Sequence, residues 1–407
     1  MPLSLAFLLA LTLLQDPAND WPCWRGPKGD GTAAEGQKPP VSWSAEENVV
    51  WKAPVPGRGH GSPSVLGDRV YLAACDEKSG SQSVLCFDRA TGKQIWEAEV
   101  HGGGAMRKNP KSTGASTTPA CDGERIYITF ANKDAVTASA LSPDGKILWQ
   151  TKVSDYIIHQ GYGASPTLYK SLVLVSADSH AGGAVAALDR KTGAVVWKHE
   201  RPKFPNYSSP VVVQVDGKDQ LILMGCDLVS SFDPMTGKVL WETAGATTEC
   251  VTSTVTDGTH VFSSGGYPRN HLAAIRADGS KKIAWETKDR VYVPSLLLRQ
   301  GHLYGVLDAG TAACWASDTG KELWKGRLGG TFSASPVLVG DRIYATNEAG
   351  ETFVFQASPE KFTQISRSKL GDEALATPAI CGGRIFTRVA HKADGRRQEM
   401  LYCLGEK

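Results

Sequence analysis

The sequence predicts an all-β chain folded as an eight-bladed β-propeller of four-stranded antiparallel blades, and three observations carry that prediction. Tryptophan recurs at Trp51, Trp96, Trp149, Trp197, Trp241, Trp285 and Trp324, every 39 to 53 residues. A small hydroxyl residue beside proline opens a short apolar run at Ser62-Pro63, Thr118-Pro119, Ser165-Pro166, Ser209-Pro210, Ser335-Pro336 and Thr377-Pro378. Ser253-Thr254 lacks the proline and Pro294-Ser295 is shifted, which makes eight first strands. Finally, the unit 376–404 runs out after its third strand, while 48–53 supplies a fourth strand with Trp51 and no unit before it. The N-terminal strand is therefore expected to complete the last blade, and closure removes the sheet edges that an open stack leaves free. Solenoid repeats are usually shorter than these.

The stretch 208–241 shows why one unit makes four strands. Apolar runs at 210–214, 220–224, 229–232 and 238–241 are separated by turn residues, beginning with Asp216-Gly217. Between the third and fourth strands, Asp233 is placed to bond the backbone two residues on. Gly237 supplies the positive φ of a bulged hairpin turn. Trp241 follows at a fixed distance. A buried tryptophan covers roughly 150 to 250 Å², on the order of 4 to 6 kcal/mol of apolar burial as an upper bound. One blade cannot bury that ring alone, so the seven tryptophans predict a repeated blade-docking surface.

Along the chain, residues 1–15 read as a signal peptide, 16–47 as an arm and 48–407 as the propeller. Leu3 to Leu14 form an apolar run too short to span a bilayer and placed where a secretory leader's core belongs, so the expected location is periplasmic or secreted. No small-residue triplet ends in cysteine near it, which argues against lipid attachment at Cys23. The arm is rich in Pro, Gly and charge, and Trp21, Trp24 and Trp43 are expected to peg it to the ring. With 44 Lys plus Arg against 42 Asp plus Glu, the chain lacks the basic field that nucleic acid requires. The nine cysteines include no CxxC and no adjacent pair. Cys86, Cys314 and Cys403 align with a third-strand slot that holds Ala140, Ala187, Ser231 and Ala274 elsewhere, and so read as small buried residues. Cys226 and Cys250, near loops on one face, are the one pair worth testing for a disulfide.

Strand order divides the loops. Links from first to second and third to fourth strands leave one end of the ring, and the other links leave the opposite end. Tight turns such as Thr192-Gly193 and Thr236-Gly237 fall at the first end. The long links 54–61, 100–115, 154–163, 178–183, 265–271 and 390–397 all fall at the second. Binding residues favour such loops, so His60, Lys108, His159, Tyr162, His180, Tyr267, Asn270 and His271 are the candidate binding residues, for a protein or small-molecule ligand. No carboxylate-histidine spacing typical of a metal site joins them, and no G-x-S-x-G or H-E-x-x-H occurs, so no catalytic or metal residue is assigned.

The run AALDRKTGAVVW, 186–197, with its counterparts along the chain, resembles the quinoprotein-type β-propeller repeat. Two functional classes share it. Quinoprotein dehydrogenases bind pyrroloquinoline quinone (PQQ) and calcium in the ring, typically between a tryptophan floor and a vicinal disulfide that this chain lacks. The other class is similar to the BamB-type propeller of the outer-membrane assembly machinery, a non-enzymatic scaffold that contacts partners through loops on one face. The resemblance thus implies a binding or assembly scaffold with no cofactor expected, and a PQQ-dependent dehydrogenase as the alternative.

Overall fold

The computed structural model describes residues 19–106 and 109–406, so the expected leader and Lys108 lie outside the described residues. The described chain forms eight four-stranded antiparallel sheets and no helix. Blade 1 comprises Ser64–Leu66, Arg69–Cys75, Ser81–Asp88 and Gln94–Gly102. Blades 2 to 7 follow at 120–155, 167–201, 211–244, 255–287, 297–327 and 337–369. Blade 8 is built from Ala379–Cys381, Arg384–Ala393 and Arg396–Leu404, and its fourth strand is the N-terminal Val49–Val55. Trp51 pairs with Cys403 in that closing sheet. In blade 4 the strands are Val211–Val215, Lys218–Gly225, Leu228–Phe232 and Val239–Ala244, each within a few residues of the expected run.

The tryptophan slot is one register position. Trp96, Trp149, Trp197, Trp241, Trp285 and Trp324 stand opposite Cys86, Ala140, Ala187, Ser231, Ala274 and Cys314, immediately before a bulge. Each indole leans onto the 3–4 turn of the next blade. There the Asp88, Asp189 and Asp233 carboxylates accept the threonine N–H three residues on at 2.8 to 2.9 Å. A Cβ built on Gly92, Gly193, Gly237 or Gly320 would lie 2.4 to 2.5 Å from the preceding blade's indole, so only glycine lets the ring lie flat on the turn. Trp51, Trp96, Trp149, Trp197, Trp285 and Trp324 donate their indole N–H to a backbone carbonyl of the next blade at 2.8 to 3.1 Å. The contact therefore joins apolar burial to a satisfied polar handle.

Two junctions solve the same problem differently. Blade 5 has no Thr-Gly turn, and Trp241 donates instead to the Gln220 side-chain oxygen at 2.9 Å; the Gln220 amide in turn donates to the Ala277 carbonyl of blade 5. In blade 7 the register position of the tryptophan slot is occupied by Ser366, opposite Val354. Its hydroxyl bonds the Val41 carbonyl of the arm, and the arm's Trp43, 6 % exposed, is buried beside it among residues of blades 7 and 8.

The first strands are tied in a second way. The backbone N–H at the head of a first strand donates to the hydroxyl at the same position of the next: Ser62 to Thr118, Thr118 to Ser165, Ser165 to Ser209, Ser253 to Ser295, Ser295 to Ser335 and Ser335 to Thr377, at 2.9 to 3.0 Å. Ser295 is therefore in register and not shifted. The hydroxyl, rather than the proline, is the constant feature, and it lines the channel wall.

Candidate functional site

The arm decides which end of the channel is open. Trp21 exchanges both backbone hydrogen bonds with Val65 of blade 1 at 2.8 Å, and Cys121 of blade 2 donates to the Pro22 carbonyl at 2.9 Å. Ala33 and Gly31 bond Leu338 of blade 7, and the Gln37 side chain accepts from Gly383 of blade 8. These partners lie near the ends of first strands that lead into the tight turns, so the arm plugs that end. Trp21, 1 % exposed, is buried by it. Trp24 is not a mere peg: its indole N–H reaches Ser253 of blade 5 at 2.9 Å, and its ring forms the floor of a funnel that opens at the other end.

The funnel holds about 790 Å³, within the range of small-molecule and peptide-segment sites. All eight blade-to-blade links reach it: Asn109 to Ser112, His159 to Gly163, Tyr207, Glu249, Tyr292, Thr331, Leu375 and His60 come from successive links around the ring. Tyr267 and Asp308 come from the links between second and third strands. Of the residues expected from sequence, His60, His159, Tyr162 and Tyr267 line the funnel. Tyr162 is 6 % exposed and donates to the Ser176 carbonyl at 2.9 Å, so its main work is to pin its loop. His180 stacks edge-on against His159, with ring centroids 5.2 Å apart. Asn270 is exposed outside the funnel. His271 is 1 % exposed, with one ring nitrogen 2.7 Å from the Gly245 carbonyl and the other 3.0 Å from Glu286. That histidine staples blades together. Cys226 and Cys250, raised as a disulfide pair, are free buried thiols.

Three funnel residues, Glu249, Tyr292 and Arg290, were not singled out from sequence. Glu249 is 6 % exposed, and its carboxylate lies 3.3 Å from the His159 ring nitrogen. Burial pushes that carboxyl above its ordinary range, partly offset by His159, His180 and Tyr207. Tyr207 and Tyr292 are both held well up by burial first and by Glu249 second. Arg290 lies over the Tyr292 ring, 5.1 Å from its centroid, and donates to the Gly266 carbonyl at 2.9 Å. His60 is the opposite case: burial first, and then Arg58, Arg388 and Arg397, press its pKa down to about 3, against the pull of Glu373. A neutral imidazole results, with Nε2 buried and unpartnered.

Calcium takes six to eight oxygen ligands. Among the described residues no three His, Cys, Asp or Glu side chains converge on a point that could hold a metal. The funnel's Asp308 carboxylate accepts the Tyr292 backbone N–H, and the funnel's Lys111 is paired with Glu348 at 2.8 Å.

Comparison with known proteins agrees with this architecture. A family model described as "Outer membrane protein assembly factor BamB" matches residues 33–105, 80–326 and 297–361. The BamB of Burkholderia pseudomallei is 25 % identical over 364 residues, covering 85 % of this chain and 86 % of that one. A polyvinylalcohol dehydrogenase of a Sphingopyxis species is 28 % identical over 195 residues, 44 % of this chain but only 28 % of its own length. Among solved structures, the quinohemoprotein alcohol dehydrogenase of Comamonas testosteroni superposes with a TM-score of 0.68 at 11 % identity, covering 96 % of this chain and 81 % of that one, a likeness of fold alone.

Proposed function

The chain belongs to the family described as outer membrane protein assembly factor BamB, and from that premise we propose that it is a non-enzymatic, exported binding or assembly scaffold that receives its partner in the long-loop funnel. The observation that carries this reading is the concentration of all eight blade-to-blade links around one aromatic-floored cavity, while the opposite end is plugged by the arm. A protein segment or a small molecule entering the funnel meets Trp24 below and tyrosine and histidine side chains around it, surfaces that combine large apolar area with hydrogen-bonding tips. The similarity to an assembly factor over most of both chains favours a protein partner. No helix among the described residues is long and apolar enough to cross a membrane.

A second reading, a quinoprotein-type dehydrogenase, draws on the tryptophan floor and on the partial match to polyvinylalcohol dehydrogenase. Titration of the purified protein with PQQ and calcium, followed by tryptophan fluorescence and dye-linked alcohol oxidation, separates the two. The scaffold reading expects no saturable change and no dye reduction. Saturable binding with dye reduction overturns it.

A further inference from the structure

Glu249 is a funnel carboxylate whose surroundings leave its charge thinly compensated. It follows the fourth strand of blade 4, in the link to blade 5, where its backbone bridges to Tyr267 and the Thr247 hydroxyl donates to its carbonyl. Those contacts fix the backbone and leave the carboxylate facing the cavity. Among the described residues no Lys or Arg comes within ion-pair distance of it, and its partner of opposite polarity is His159 at 3.3 Å, charged only when protonated. The Tyr207 hydroxyl lies close enough to favour its charge but completes no hydrogen bond in this geometry. A carboxylate that is 6 % exposed and so thinly compensated is costly unless a cation arrives from outside.

The walls around it suit that cation. Tyr207, Tyr267 and Tyr292 line the same cavity, and the negative faces of aromatic rings attract ammonium and guanidinium groups. The wall already carries one such contact, Arg290 over Tyr292, which makes no ion pair with Glu249. The remaining rings and the carboxylate are still without a cation. A volume of about 790 Å³ takes more than one side chain, which suits an extended segment delivering a basic residue better than a small metal ion.

We propose that Glu249, with Tyr207 and Tyr267, is the anchoring subsite for a lysine or arginine side chain carried by a protein segment that enters the funnel. This rests on the reading of the funnel as a partner-binding site and names the chemistry it selects. The subsite recognises the cation by charge and by ring faces, so lysine and arginine are both accepted and acidic segments are refused.

The test titrates the full-length exported protein with acetyl-pentalysine amide and, in parallel, acetyl-pentaglutamate amide, following tryptophan fluorescence from the Trp24 floor and heat of binding. The expected result is saturable binding of pentalysine alone, weakened at least tenfold in Glu249→Gln and severalfold in Tyr267→Ala. Asp144→Asn, an exposed carboxylate at the tight-turn end, should bind as the parent does. Tyr267 is 54 % exposed, so its variant keeps the proposal testable should Glu249→Gln disturb the loop. Absence of pentalysine binding, or equal binding by parent and Glu249→Gln, overturns the subsite. If a photo-crosslinker at Tyr267 still captures a discrete partner in that case, the scaffold reading stands and only its cation chemistry falls.

Discussion

The two ends of the ring are built from the same strands and differ in almost everything else. At the tight-turn end, successive blades repeat one device: an aspartate that folds the turn, a glycine that flattens it, and the preceding blade's indole laid on top with its N–H satisfied. At the long-loop end only the belt of Ser and Thr hydroxyls repeats, and every link above it is different. Repetition marks the end whose task is to hold neighbours in place, because each blade must present the same surface to the next. Individuality marks the end proposed to receive a partner. A variant's effect should therefore depend on which end it strikes: stability at the first, binding at the second.

The largest effect is expected at the docking tryptophans. Trp241→Ala should cost about 3 to 5 kcal/mol in chemical denaturation, and a loss below about 1 kcal/mol would remove the docking role. Gly237→Ala comes next, because the added methyl must sit against the Trp197 ring at 2.5 Å on a backbone with φ of 72°. A cost of about 1 to 3 kcal/mol is expected. Gly217→Ala, at a similar φ of 73° but facing open space, should cost only about 1 kcal/mol. Equal losses at the two glycines would show that the ring contact contributes nothing beyond backbone strain.

An effect confined to acid is expected at His60. Folded His60 stays neutral down to a pKa of about 3, whereas in the unfolded chain it titrates near 6.5. Between those values the unfolded chain holds a proton that the folded chain does not, so stability is full above pH 6.5 and declines as pH falls toward 3. His60→Gln should flatten that part of the decline in melting temperature against pH. An unchanged slope would mean that His60 is not held neutral. The least change in stability is expected at Tyr267→Ala, which should leave the melting temperature as it is while reducing partner capture. A drop of several degrees without loss of capture would place Tyr267 with the scaffold.

The same division explains what could be read from sequence. The blades, the closing strand and the tryptophan slot were legible because each is repeated, and repetition is visible along a chain without any knowledge of space. The hydroxyl belt was half legible: proline drew attention to it, and Ser295 looked displaced until the structure showed that the hydroxyl, not the proline, is what the neighbouring N–H requires. The funnel was legible only as a face. Tyr162 and His271 were chosen as polar loop residues, yet loops need staples as much as they need ligands, and both are buried on carbonyls. Glu249 carried no local signal, since its setting is assembled from Tyr207, His159 and Tyr292 in three different links. Trp24 looked like Trp21 and Trp43 in the arm; only the path of the arm across the ring separates a floor from a peg.

The most direct test of the division between the ends is site-specific photo-crosslinking in the producing cell, with the reactive residue placed in turn at Tyr267 on the funnel and at Asp144 on the tight-turn end. A discrete crosslinked partner from Tyr267 and none from Asp144 is the predicted result. Capture from Asp144, with none from Tyr267, would contradict it and move the binding surface to the end assigned to scaffolding.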